Sequence, residues 1–75
     1  MDIGMLWFDD DAKRNLADKV ARAVAHYRAK YGALPNLCFV HPATLPDGPA
    51  VAAGVQLRPE RTVQLHHFWL GRNEE

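Results

Sequence analysis

Three consecutive carboxylates, Asp9-Asp10-Asp11, and the histidines His41, His66 and His67 are the side chains of this sequence best equipped for chemistry. Hard divalent cations take carboxylate oxygens, and an imidazole completes a Mn²⁺ or Zn²⁺ shell. Asp9 and Asp10 as ligands, with His41 as ligand or base, therefore describe a metal-binding domain or a metal-dependent hydrolase or nuclease. For this the aspartates must close one strand and His41 another, at the carboxyl ends where open sheets receive ligands. The same aspartates also suit a plainer role. Asp caps helices and complements the positive end of the macrodipole, and nothing in the spacing specifies a metal.

His66 and His67 are neighbours in sequence, so on a strand they face opposite sides and cannot chelate one ion together. They read as one imidazole in solvent and one packed between Leu65 and Trp69, where titration near neutrality would make an interface pH-sensitive. Cys38 sits among apolar neighbours, whereas a reactive thiolate needs an exposed, electropositive setting; it reads as a packing residue. No Gly-rich phosphate loop, nucleophile elbow or metal-spaced Cys or His pair occurs, and no cofactor is expected.

These groups must be positioned by one small domain, residues 1–75, with a polar tail at 71–75. Nine Lys and Arg balance nine Asp and Glu, and 48% of the residues are hydrophobic, which is the composition of a folded chain and not of a disordered one. A single cysteine excludes an internal disulfide and a zinc ribbon built on Cys pairs. No apolar run reaches the roughly 18 residues of a membrane span, and the first residues lack a secretory pattern. A cytoplasmic location is the expectation.

The run Ile3 to Phe8 predicts a buried strand, and Asp9-Asp10-Asp11 after it predicts a helix start. From Ala12 to Tyr31, Leu16, Val20, Val24, Tyr27 and Tyr31 fall three or four apart, the stripe of an amphipathic helix. Gly32 suits its C-terminal cap, and Pro35 stops it. Asn36 to His41 predicts a strand apolar on both sides and hence interior, parallel to the first across a βαβ crossover. After a Pro-rich loop, Val51 to Arg58 and Thr62 to Leu70 predict two more strands. Val-Gln-Leu recurs at 55–57 and 63–65, as facing arms of a hairpin would favour.

The resulting expectation is an α+β fold, a two-layer β-α-β-β-β sandwich with one helix on a four-stranded mixed sheet. One helix covers only one sheet face, yet both sides of these strands carry large apolar residues, two Trp and three Phe among them. The leading functional expectation is therefore a protein-interaction or self-assembly module, a homodimer or one half of a protein complex joined through an apolar sheet face. Trp7, Phe68 and Trp69 are its expected interface residues, because large aromatics dominate interface energetics. Metal chemistry at Asp9, Asp10 and His41 is the alternative. Nucleic-acid binding through residues 12–31 is a third reading, since Lys13, Arg14, Lys19, Arg22, Arg28 and Lys30 there face one acid, Asp18. Their scatter around the helix and the zero net charge favour a solvated face instead.

Overall fold

The computed structural model describes residues 4–73. Its first element is strand β1, Gly4–Phe8; Ile3, expected to open that strand, lies outside the described residues. The helix α1 spans Leu16–Tyr31, not Ala12–Tyr31. The aspartates do not cap it. Asn15 does, its side chain accepting from the Asp18 N–H at 2.8 Å, while Asp9 and Asp11 close tight turns by accepting from the Asp11 and Lys13 N–H groups. Their short side chains satisfy backbone donors two residues ahead, which holds the chain in turns over 9–14 and delays the helix. At the other end Gly32 takes the left-handed conformation, φ 71°, and its N–H donates to the Arg28 carbonyl, as the sequence predicts.

Strand β2 is Leu37–Val40, and a single 3-10 turn follows at Pro42–Thr44. The expected strand 51–58 is instead two, β3 at Ala50–Ala52 and β4 at Val55–Pro59. Ala53 and Gly54, at φ 51° and 74°, make the two-residue turn with both φ positive that suits the twist of paired strands. The last strand, β5, begins only at His67 and ends at Gly71; His66 at φ 66° breaks the run before it. Gly71 therefore belongs to the sheet and not to a tail, and Asn73 beyond it exchanges hydrogen bonds with the Asn36 side chain.

The architecture is α+β, one helix on a mixed sheet, with five strands where the sequence predicts four. Their order is β1-β5-β2-β4-β3. β1 and β2 do run the same way, since both are antiparallel to β5, but β5 lies between them. β4 pairs parallel with β2 and antiparallel with β3, so the Val-Gln-Leu segments do not face each other in a hairpin. The core lies between sheet and helix. Val20, Ala23 and Tyr27 from α1 meet Met5, Cys38, Val40, Val55, Leu57, Phe68 and Leu70 from the strands. Leu45 from the connection after β2 joins them. No helix among the described residues is long and apolar enough to cross a membrane.

Candidate functional site

Because successive strand residues point to opposite faces, burying Met5, Phe68, Leu70, Cys38, Val40 and Leu57 beneath α1 commits their neighbours to the other face. Leu6 and Phe8 of β1 stand there, 57% and 54% exposed, with Trp69 of β5 at 37%. His67 shares this face, as does the half-buried Phe39 of β2. Towards the opposite edge the same face turns polar at Gln56 and Arg58 of β4. The uncovered side is thus divided, apolar over β1, β5 and β2 and polar over β4.

Its centre is held by cross-strand packing. Leu6 is the register partner of Trp69, and Trp69 that of Phe39. The indole of Trp69 lies over Gly4, where any Cβ would overlap its ring, so the glycine is the seat of the aromatic. The Phe8 and His67 rings meet at 5.0 Å. His67 Nδ1 lies 3.0 Å from the Leu65 carbonyl; a carbonyl only accepts, so Nδ1–H is the donor. The connection after β4 borders a groove of about 640 Å³, with Leu6, Phe39, Val63 and Trp69 as apolar lining and Glu60, Thr62 and His67 among its polar groups. The Glu60 carboxylate accepts from the Thr62 N–H and hydroxyl at 3.0 and 2.9 Å. The backbone bond from Thr62 is the main reason its pKa lies below the ordinary value.

Of the three aromatics expected at an interface, only Trp69 occupies the open face. Phe68 is 2% exposed in the core, out of reach of a partner docking on that face. Trp7, on the helix side, is stacked on His26 with ring centroids 4.3 Å apart. Its Nε1 is buried and has no hydrogen-bond partner among the described residues. The residues that join Trp69 instead are Leu6 and Phe8, which alternation places opposite Met5 and Trp7 once the helix side is known.

Two of the residues weighed for metal chemistry, Asp9 and His41, already have other partners. The buried Asp9 carboxylate accepts from the Asp11 N–H at 3.0 Å and faces Arg14 Nη1 at 3.3 Å. The Asp11 backbone bond, helped by the charges of Arg14 and Lys19 and opposed by burial, lowers its pKa. Arg14 also bridges to Asp11 at 3.2 Å. Asp10 is exposed. His41 Nδ1 accepts from the Ala43 N–H at 3.0 Å, which leaves Nε2 to carry the proton of the neutral ring. Among the described residues no group of three or more His, Cys, Asp or Glu is placed to hold a metal ion. Cys38 is fully buried, and desolvation pushes its thiol up to about 12, the setting of an unreactive packing residue. In α1, Lys30 lies 5.3 Å from the Tyr31 ring centroid, and Arg14, counted with the basic helix in sequence, lies before it and is ion-paired. No protein-family model, curated protein or solved structure matches the chain.

Proposed function

We propose that this chain is a self-association module that pairs with a second copy along the apolar side of its sheet. The observation that carries the reading is the continuity of Leu6, Phe8, Trp69 and Phe39 across three adjacent strands on the face the helix does not cover. Large side chains offer on the order of 150–250 Å² each, so their exposed fractions leave an apolar patch of roughly 300–400 Å², at the size where patches on single subunits serve binding. A second copy suits this patch because the formal net charge is zero, so no long-range repulsion opposes self-association. The patch is smaller than the roughly 800 Å² per partner of a standard interface; the association is therefore weak and concentration-dependent.

Size-exclusion chromatography with light scattering over a dilution series tests the reading. The expected result is a mass that rises with concentration in the wild type and stays monomeric in Trp69→Ser. A wild-type mass that stays at one chain throughout would remove the proposal.

A further inference from the structure

The edge of the sheet beside this patch is met by the helix at the Gly4 carbonyl and is otherwise open. β1 ends the strand order, so among the described residues no strand pairs with its outer side. Natural sheets blunt such edges with charges, proline, bulges or very short strands. β1 has none of these: Gly-Met-Leu-Trp-Phe carries no charge and no proline, and its five residues pair with β5 in unbroken register.

The direction of its free backbone groups follows from the ladder. The Asp9 N–H donates to the His66 carbonyl at 3.0 Å, one residue beyond the Phe8–His67 pair. Phe8, Leu6 and Gly4 are therefore the non-hydrogen-bonded positions of the β1–β5 ladder, and their N–H and C=O groups point away from β5. The Gly4 carbonyl confirms this direction, since it accepts from the Tyr31 hydroxyl of the helix at 3.4 Å; its second lone pair stays available.

We propose that the occupant of this edge is β1 of a second copy, paired antiparallel about Leu6. The inference rests on the self-association reading but places the contact at the β1 edge of the apolar face and not across it, so that Leu6 and Phe8 are covered sideways while Phe39 stays on the open face. Leu6 then exchanges both hydrogen bonds with its own counterpart, and Gly4 with Phe8 at either end, about six backbone bonds in all. The side chains fit the two-fold. Gly4, which offers no side chain of its own, stands opposite the exposed Phe8, and the ring of Phe8 comes beside the Trp69 indole that covers Gly4. The two Leu6 side chains meet at the axis, so each of the most exposed residues of β1 packs sideways against an apolar neighbour. The two sheets become one of ten strands, an isologous contact in which the same five residues serve both copies.

Hydrogen exchange of the wild type at concentrations below and above the mass transition decides the matter. The expected result is slowing of the Leu6 and Phe8 amides by about tenfold or more on association, with Met5 and Trp7 already protected in the monomer. A second measurement uses Leu6→Pro, which removes an outward N–H and leaves the β1–β5 ladder its own bonds; it should stay monomeric with its far-ultraviolet circular dichroism intact. If copies associate while the Leu6 and Phe8 amides exchange as fast as in the monomer, the edge pairing is wrong and the copies stack face to face. If no association occurs at any concentration, the self-association reading itself fails.

Discussion

The two outer strands of this sheet face the same hazard and meet it differently. β3 is three residues long, follows Pro49 directly and turns at once into β4 through Ala53 and Gly54. Its outward residue, Val51, is 72% exposed, but a template of three residues beside a proline holds few bonds for an incoming strand. β1 is five residues long, regular and uncharged, and the apolar patch begins at it. Fully buried groups stand beneath both sides, Phe68 and Leu70 under one and Val55 and Leu57 under the other. The contrast is therefore not one of core against no core. One edge is closed by its own brevity and the other is left open by its composition.

The sharpest way to break this contrast is to remove the anchor beneath the open side. Phe68 is the register partner of both Trp7 and Val40, so it ties β1 to the centre of the sheet from within. Phe68→Ala should cost about 3–5 kcal/mol, a large part of the stability of a domain this small, as read by urea denaturation. Its effect is on folding. A Phe68→Ala chain that folds with near wild-type stability would cancel the assignment of Phe68 to the core.

Glycines near the two edges give the next comparison. Gly4→Ala places a methyl group in the Trp69 ring and should cost about 1–3 kcal/mol as the indole is driven off the sheet, with a red shift of tryptophan emission. Gly54→Ala meets no neighbouring atom and should cost only about 1–2 kcal/mol for the left-handed backbone, φ 74°, with no shift of emission. Equal emission changes in the two variants would show that Trp69 does not depend on Gly4.

These differences show which parts of the fold are legible in the residues. The helix is, because the stripe through Val20 and Tyr27 and the stop at Gly32 are local signals of helical period. β2 is, because apolar residues on both sides mark an interior strand. The division of the 51–58 run is hidden because Ala53, an alanine at positive φ, marks no turn by its type. The place of β5 between β1 and β2 is a non-local pairing that no short pattern encodes. For the candidate surface, Phe68-Trp69 is a pair of large aromatics in a strand, and which one faces the helix is a choice of parity. A one-residue shift exchanges the faces without changing the local pattern. That is why Trp69 stands on the open face with Leu6 and Phe8, while Trp7 and Phe68 face the helix.

The smallest expected effect comes from two carboxylates that close strands, Asp9 after β1 and Glu60 after β4. Both titrate below their ordinary values, each chiefly because a backbone N–H two residues on, that of Asp11 or of Thr62, donates to the charged form. In the unfolded chain they titrate near about 3.9 and 4.3. Below neutrality the unfolded state therefore binds protons first, and stability falls as pH falls. The contribution of each group is complete above its unfolded value and is lost as pH drops through the lower folded value. Arg14 is held against Asp9 as well, whereas Glu60 has no cation within ion-pair distance among the described residues. Asp9→Asn should therefore flatten the decline of the melting temperature between about pH 5 and pH 2 more than Glu60→Gln does, with Arg14 left to its ion pair with Asp11. Added salt should narrow the difference, since screening weakens the partly exposed ion pair and leaves the backbone hydrogen bonds in place. An acid limb in Asp9→Asn that overlays the wild type would show that the turn leading out of β1 draws no stability from its charge.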